Sequence, residues 1–522
     1  MCPDTMGGTT PSSESTQAAA QPQLSGNQAS NGNPQRPISD RLEANLSQLE
    51  QIFAKNSDIV FRHWSYGPDL RHTACSVYYE TLMQGEIINY MKSSLQDLVT
   101  HEVGPGITIT PEHVRSFFEH DGVSEKKAEL LEDLDQAVDQ ITAGNIVIFF
   151  NQWNKALTYR SLTIESRPIS EPANESVVQG PRESTVENLQ KNIGLLRVRL
   201  NTPKFKTVSL TGGGETRTRV IYGYVEGAAD PEMLKDFEKR ITKISETEIL
   251  ETSYIEQLIE DSTWSPFPQH RYTERPDTAV AALLDGKIVI LVQGTGSILL
   301  CPGLFTEFFQ SSEDYYQRTI YSSMIRFLRM IAFALALTLP SIYIALSTFH
   351  TELIPTVLLL AVIDTREGIP LPAFFEALVM EFFFELLREA GVRLPKAIGA
   401  TVSIVGALVV GEAAINAGIA SPIMVIIVAL TGIASFTIPQ YNIAIALRIL
   451  RFPLMVSASV MGGFGIMIVF LLILLHLCKL RSLGQPYLTP LAPLRMKEFR
   501  DVLVRAPLKT LLKHPRKHTP KG

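Results

Sequence analysis

Four apolar stretches in the C-terminal half constrain the fold of this chain more than any other feature. The first of them, residues 330–349, has no charged side chain at any of its 20 positions. A helix of about 20 apolar residues crosses the roughly 30 Å hydrocarbon core of a bilayer. We therefore predict membrane spans at 330–349, 397–420, 421–438 and 453–478. Pro340 is expected to kink the first span without ending it.

The distribution of basic residues predicts how these spans are oriented. The segment 479–522 contains eleven Lys and Arg residues against two acids, which places it in the cytoplasm by the positive-inside rule. The N-terminal end carries no secretory signal pattern and is also expected in the cytoplasm. Four crossings satisfy both placements. They also put Arg448 and Arg451 in an outer loop, where basic residues are unexpected.

Residues 374–391, "FFEALVMEFFFELLREAG", are apolar overall but rich in charge. At 100° per residue, four charged side chains fall on one stripe of the helix, opposite the large apolar ones: Glu381, Glu385, Arg388 and Glu389. We favour a helix that lies at the membrane surface with these charges in water. The alternative is a helix that faces an aqueous cavity or another subunit, and a lipid-exposed span is excluded by its cost. The preceding run, 353–363, is too short to cross and is predicted to be re-entrant or interfacial.

The second predicted span carries its polar side chains on an aliphatic stripe. Alternating spacings of four and three put six residues on one helical face: Ile398, Val402, Val405, Val409, Glu412 and Asn416. In a ring of identical copies, this face would supply apolar constrictions and a ring of carboxylates, the ingredients of a hydrophobic gate and a cation-preferring vestibule. The alternative is that Glu412 and Asn416 hydrogen-bond to a neighbouring helix within a packed bundle.

The region before the spans contains a weak internal duplication. "GNIVIFF", from Gly144, and "GKIVILV", from Gly286, are each followed by turn residues and a second apolar run, so both predict β-hairpins. A strand, a polar connection and a helix are predicted upstream of each hairpin. We infer two α/β lobes, at 40–165 and 183–310.

The whole chain is therefore expected to be a two-lobed α/β cytoplasmic region followed by an all-α multi-pass membrane domain, with four spans and one re-entrant or interfacial amphipathic segment. Low apolar content predicts a disordered tail at 1–39. A linker rich in Pro, Ser and Glu is predicted at 166–182. The membrane domain is placed at 311–480, and a basic cytoplasmic tail at 481–522.

No catalytic, cofactor or metal motif stands out in the chain. "TGGGETRT", 211–218, lacks the Lys-Ser/Thr of a phosphate-binding loop and predicts a turn between strands. The histidines form no HExxH motif, and the four cysteines are scattered. We expect no enzymatic activity, no cofactor, no metal site and no nucleic-acid partner. "DSTWSPFPQHRYTERPD", 261–277, predicts a packed loop between lobe and membrane, or a partner surface.

Several segments, in order and spacing, resemble the A-subunit family of bacterial spore germination receptors, the GerA family. They include "SPFPQHRYTERPD", "QSSEDYYQR", "REGIPLPAFFEALVMEFFFELLREAGVRLP", "SIVGALVVGEAAINAGIASP" and "GIASFTIPQYNIAIALRILRFP". The likeness is close over 170–495 and loose over 40–165. It implies a protein of the spore inner membrane that acts with a B subunit, which is similar to amino-acid permeases and holds the nutrient, and with a C subunit, a lipoprotein.

The resemblance also implies that the A subunit forms a homo-oligomeric ring in the lipid membrane and conducts cations when nutrient is detected. Val402, Val405 and Val409 would then be the closed gate and Glu412 an acidic ring beside it. Where the family is expected to read "VIGQAA", this chain reads "VVGEAA", so a carboxylate at Glu412 is not a general requirement. The alternatives are a transporter-like subunit that moves solute by alternating access and a non-conducting scaffold of the receptor.

Overall fold

The N-terminal region forms two five-stranded sheets with flanking helices. The computed structural model describes residues 36–67, 70–83, 110–119, 128–160, 172, 175, 177–394, 396–495 and 501–507, and the side chains of 396–404 are outside that description. The predictions for 1–35, for most of the helix upstream of the first hairpin, which the sequence places within 75–91, for most of the linker and for 508–522 therefore concern residues outside the described ranges. The elements of the first lobe are α1 (Leu42–Ile52), β1 (Ile59–Tyr66), β2 (His72–Tyr79), α2 (Pro111–Glu119), β3 (Glu129–Leu131), α3 (Leu134–Thr142), β4 (Ile146–Phe150) and β5 (Ala156–Tyr159).

The second lobe repeats this order of strands. Its elements are α4 (Leu189–Arg199), β6 (Phe205–Thr211), β7 (Arg219–Val225), α5 (Pro231–Ile241), α6 (Thr252–Ile259), β8 (Arg271–Thr273), α7 (Pro276–Leu284), β9 (Ile288–Val292) and β10 (Ile298–Cys301). The strand orders are β1-β2-β4-β5-β3 and β6-β7-β9-β10-β8. Both predicted hairpins are confirmed, as antiparallel pairs β4–β5 and β9–β10. The duplication inferred from the sequence is thus a repeat of sheet topology.

A glycine with positive φ precedes the central strand of each sheet. Gly144, before β4, has φ 90°, and Gly286, before β9, has φ 83°. A Cβ at Gly286 would also overlap the carbonyl oxygen of Ala228. Because only glycine adopts such a φ without steric cost, the turn into each central strand depends on it. The predicted turn at 211–218 likewise connects β6 to β7.

A buried ion pair joins the two lobes. The guanidinium of Arg197, on α4, donates from Nε and Nη2 to the carboxylate of Asp58 at 2.5 and 2.6 Å. Thr207, on β6, donates to the same carboxylate at 2.8 Å. The Arg197 guanidinium also stacks over the ring of Tyr79, 3.9 Å from its centroid. One carboxylate from the first lobe therefore binds groups on two elements of the second.

The chain from Glu313 to Lys479 is mainly helical. A four-residue helix, α8 (Glu313–Tyr316), leads into α9 (Thr319–Thr348), α10 (Thr356–Arg366), α11 (Ala373–Arg393), α12 (Lys396–Asn416), α13 (Pro422–Phe436) and α14 (Tyr441–Lys479), and a short hairpin follows, β11 (Arg481–Ser482) and β12 (Gln485–Pro486). Among the described residues, α9 and α14 are long and apolar enough to cross a membrane, and Val405–Asn416 and Pro422–Phe436 are shorter apolar helices. As predicted, α9 continues through Pro340.

Helix α14 reverses direction in its middle. Gly462 has φ 61° and ψ −140°, a non-helical conformation, and a Cβ on Gly465 would overlap the carbonyl oxygen of Ser457. In a straight helix, Ser457 and Gly465 would be about 12 Å apart along the axis. Their close approach shows that the chain turns back between them, so residues 441–461 and 463–479 form two antiparallel arms, here called arm a and arm b. The prediction of a single span at 453–478 is wrong on this point, since the reversal lies inside it.

The order of contacts fixes the directions of the other helices. Along α11 and α13, Glu376 contacts Ser421 and Arg388 contacts Ser435, so these helices run parallel. Along α11 and arm a, Glu381 contacts Arg451 and Glu385 contacts Arg448, so these run antiparallel. Helix α11 therefore packs within the bundle, alongside α13 and arm a. The prediction of a helix at 374–391 that lies on the membrane surface with its charges in water is not what the structure shows.

The chain after α14 returns to the sheets. Tyr487 Oη donates to the carbonyl oxygen of Pro268 at 2.8 Å, and Ser482 Oγ donates to that of Gln269 at 2.6 Å. Further along, the backbone and side chain of Asp501 accept hydrogen bonds from Arg326, near the start of α9. The described C-terminal segments therefore lie on the same side of the helical bundle as the N-terminal lobes.

Candidate functional site in the helical region

Helix α11 carries three carboxylates that point into the bundle. The first, Glu376, is fully buried. Its Oε2 accepts a hydrogen bond from the backbone N–H of Ser421 at 2.9 Å, and its Oε1 lies 3.0 Å from Arg366 Nη2. Glu376 therefore connects α11 to the start of α13 and to the end of α10.

The second carboxylate, Glu381, forms a buried ion pair with arm a. Arg451 Nη1 donates to Glu381 Oε2 at 2.6 Å, and each side chain is 1% exposed. Arg451 Nε also donates to the carbonyl oxygen of Ala336, on α9, at 2.9 Å. Because a buried charge without a partner is costly, each member of this pair makes the other acceptable in the bundle.

The third carboxylate, Glu385, is shared by two arginines. Arg448 Nη1, on arm a, donates to its Oε2 at 3.0 Å, and Arg388 Nη1 donates to its Oε1 at 3.4 Å. Arg388 Nη2 donates in turn to Ser435 Oγ, on α13, at 3.0 Å. One turn further along α11, Glu389 instead pairs with Arg393, and both of these side chains are exposed.

These contacts correct two expectations from the sequence. Of the predicted stripe, Glu381 is buried and only Glu389 is exposed, because the facing arginines of arm a replace water as partners. Arg448 and Arg451 do not lie in an outer loop but inside the bundle beside α11. The sequence already contained a signal for this position, because two arginines in an outer loop conflicted with the predicted four-span topology.

Helix α12 presents the predicted gate residues on its exposed side. The Val405 and Val409 side chains are 53% and 56% exposed, and Glu412 and Asn416 are exposed on the following turns. Val402 belongs to the same helix, but its side chain is outside the described residues. Neither the Glu412 nor the Asn416 side chain hydrogen-bonds to another residue of the described ranges. Beside this face, α12 packs closely against α11, since a Cβ at Gly406 would lie 2.8 Å from Leu387 Cδ2.

A wide acidic cavity separates the second lobe from the start of α14. It has a volume of about 860 Å³, and the residues that line it include Pro439, Gln440, Tyr441, Ser253 and five glutamates, Glu175, Glu187, Glu251, Glu256 and Glu274. Gln440 Nε2 donates to Glu175 Oε1 at 3.1 Å, and Tyr272 Oη donates to Glu256 Oε2 at 2.7 Å. Burial raises the pKa of Glu256, and burial together with the charge of Glu256 raises that of Glu260 to about 7.

The cavity is open and its carboxylates are spread around it. Within the described ranges, no three His, Cys, Asp or Glu residues approach closely enough to hold a metal ion. The five glutamates that line the cavity favour a negative potential inside it.

Two repeated α/β lobes are joined to a helical bundle in which α9 and α14 are long and apolar enough, by length and composition, to cross a membrane. The chain belongs to the Bacillus/Clostridium GerA spore germination protein family, whose family model matches residues 47–517. The resemblance stated from the sequence motifs is thereby confirmed.

Similar curated proteins come from spore-forming bacteria. The uncharacterized membrane protein YfkQ of Bacillus subtilis is 44% identical over 483 residues, which cover 92% of this chain and 92% of that protein. Spore germination protein KA of Bacillus subtilis is 39% identical, covering 90% of this chain and 85% of its own length. Spore germination protein GerLA of Bacillus cereus is 41% identical, covering 72% and 76%.

A solved structure also matches the N-terminal region. It is the crystal structure of the N-terminal domain of the A subunit of the Bacillus megaterium spore germinant receptor GerK3. That domain is 25% identical to the matching part of this chain, with a TM-score of 0.39, and the match covers 52% of this chain and 99% of the domain.

Proposed function

We propose that this chain is the A subunit of a nutrient germinant receptor in the spore inner membrane, where several copies form a nutrient-gated cation channel. It acts with a permease-like B subunit that holds the nutrient and with a lipoprotein C subunit. Both termini lie on the cytoplasmic side, which is the spore core. Membership of the GerA family supports the receptor role, and the exposed face of α12 supports the channel.

The observation that carries the channel proposal is the exposure of Glu412 and Asn416 on a helix of the bundle. A carboxylate that faces lipid within the hydrocarbon core of a membrane is strongly unfavourable. The interpretation that both side chains hydrogen-bond within their own bundle is weakened, because neither side chain bonds to another described residue. A water-filled axis shared by several copies meets the need of Glu412 for a polar environment.

The valines on the same face supply the closed state. A ring of Val405 and Val409 side chains would make an apolar constriction that excludes water, and the carboxylates of Glu412 would favour cations next to it. Nutrient on the B subunit must then stabilise the open arrangement more than the closed one, since equal binding to both would shift nothing. The acidic cavity near the base of α14 would raise the local concentration of cations on the side of the lobes.

The test is single-channel recording on the full receptor reconstituted in planar bilayers. We expect Val409→Ala to conduct without nutrient, because a smaller side chain widens and wets the constriction. Glu412→Gln should lower the preference for cations. The matched control is Val456→Ala, which truncates a valine of similar exposure on arm a and should leave the closed state intact.

Two other results would reject the channel. Flux that is nutrient-dependent but too slow to resolve as single openings would indicate a transporter-like subunit. A receptor that passes no ions, with Val409→Ala altering only assembly, would indicate a non-conducting scaffold.

A further inference from the structure

One large aromatic side chain stands in solvent next to the end of the membrane-crossing hairpin. Trp264 is 97% exposed, whereas Trp153 is buried and Trp64 is partly buried. Trp264 belongs to the segment 261–269, here called the Trp264 loop. This loop is part of 261–277, for which the sequence predicted a packed loop between lobe and membrane, or a partner surface. Two other side chains of the loop, Phe267 and Gln269, are buried.

The loop is held in shape by the buried side chain of Gln269. Gln269 Oε1 accepts hydrogen bonds from the backbone N–H groups of Asp261 and Ser262 at 2.8 and 3.2 Å. Gln269 Nε2 donates to the carbonyl oxygen of Ser262 at 2.6 Å. Phe267 N donates to Ser265 Oγ within the loop. The exposure of Trp264 therefore follows from a braced backbone, which holds the indole away from the protein.

The loop docks on the last turns of arm b. Ser265 Oγ and His476 Nε2 share a hydrogen bond of 2.9 Å, and the Phe267 ring stacks on the imidazole of His476 with centroids 6.2 Å apart. Helix α14 ends three residues later, at Lys479. Arm b is covered by exposed apolar side chains up to that point: Met467, Phe470, Leu471, Leu472, Leu474 and Leu475. Trp264 therefore lies next to the end of a continuous apolar surface.

Two basic side chains lie near the same end of arm b as the Trp264 loop. Lys479 and Arg481, at the end of arm b, are both exposed. Basic side chains at this position of a membrane helix lie at the anionic headgroups. Tryptophan favours the same layer, because its ring is apolar and its indole N–H needs a polar partner.

We propose that the Trp264 loop is a membrane-surface anchor, with Trp264 inserted in the headgroup layer of the leaflet in which arm b ends. The partner is a phospholipid surface with anionic headgroups. Because the loop leads directly into β8 (Arg271–Thr273) of the second sheet, this contact fixes the second lobe against the bilayer. The inference does not depend on whether the receptor conducts ions.

The test uses tryptophan fluorescence of the full chain in vesicles of phosphatidylcholine and phosphatidylglycerol, with bromine atoms placed either high or low on the acyl chains. We expect shallow bromines to quench the wild-type emission more than deep ones do. Trp264→Phe should lose that quenching. Trp153→Phe, which removes a buried indole of the first lobe, is the matched control and should retain it.

Dissolved acrylamide is the second probe, and it distinguishes the remaining environments of Trp264. If brominated lipid leaves Trp264 unquenched while acrylamide quenches it, the side chain stands in water and the anchor is rejected. If neither probe reaches it, a protein surface covers it, which also rejects the anchor. Circular dichroism of Trp264→Phe should match that of the wild type, because the ring is 97% exposed among the described residues.

Discussion

Glu381 Oε2 lies 2.6 Å from Arg451 Nη1, with both side chains buried between α11 and arm a of α14. This pair connects a helix whose charges suggested a surface position to a hairpin of mainly apolar composition. It explains how a segment with five charged residues can pack inside a helical bundle. The pairing also makes the stability of the bundle sensitive to either residue.

Removing one member of this pair should be far more damaging than removing both. Arg451→Met leaves a buried carboxylate without its partner, and we expect a loss of about 3–5 kcal/mol. The double variant Glu381→Met with Arg451→Met should recover most of that loss. Thermal unfolding of the purified protein in detergent measures both. The control is Arg393→Met, which breaks the exposed pair with Glu389 and should change stability by less than about 1 kcal/mol. An equal loss of stability in Arg451→Met and Arg393→Met would contradict the argument.

The joint between the two lobes should depend on Asp58. Asp58→Asn removes the charge that faces the buried guanidinium of Arg197, and we expect a loss on the order of 3 kcal/mol. The control is Glu183→Gln. Glu183 pairs with Arg199, which lies on the same helix as Arg197, but this ion pair is more exposed than the pair of Arg197 with Asp58. The change should therefore cost less than about 1 kcal/mol. Limited proteolysis should show the lobes of Asp58→Asn opening at protease concentrations that leave Glu183→Gln intact. Identical digestion patterns would mean that the pair does not join the lobes.

The reversal within α14 should require glycine at 462. The backbone of Gly462 lies at φ 61° and ψ −140°, and an added Cβ would come within 2.9 Å of Phe349 Cβ. Gly462→Ala should therefore cost at least about 1–3 kcal/mol and reduce the yield of folded protein on size-exclusion chromatography. Gly411→Ala is the control, since its Cβ would make an ordinary 3.5 Å contact with Val425 on a regular helix. If both variants eluted as the wild type does, the hairpin would not need glycine at this position.

Stability at acidic pH should depend on His270. Burial lowers the pKa of His270 to about 3, from an ordinary value near 6.5. Above pH 6.5 the imidazole is neutral in both states. Between about pH 6.5 and 3 only the unfolded chain binds this proton, so stability falls as the pH falls, by up to about 1.4 kcal/mol per pH unit.

His270→Gln removes this proton uptake. Its unfolding midpoint should therefore drop less than that of the wild type between pH 7.5 and 4.5. His113→Gln changes an exposed histidine and should follow the wild type. Parallel pH curves for wild type and His270→Gln would show that His270 is protonated in the folded protein as well.

Short-range patterns predicted much of this protein correctly. The hairpins that follow Gly144 and Gly286 were readable because β-branched runs and turn residues are local signals. The passage of α9 through Pro340 followed from its apolar composition. The shared face of Val405, Val409, Glu412 and Asn416 followed from helical spacing, although its role as a gate stays a prediction.

The errors concern the partners of α11 and the path of α14. Helical periodicity placed Glu381 and Glu385 on one stripe, but it could not say whether that stripe faces water or another helix. The answer depends on Arg448 and Arg451, more than sixty residues away in the chain. The reversal at Gly462 was missed because a glycine within an apolar run also fits a straight helix.

Local patterns were enough to locate the two hairpins and the apolar helices, because hydrophobic periodicity and turn chemistry act over a few neighbouring residues. Which charges are buried and which way the helices run depends on contacts between distant parts of the chain. The reason is that a carboxylate such as Glu381 is stable in the interior solely when a distant arginine reaches it, and that meeting is a property of the folded chain.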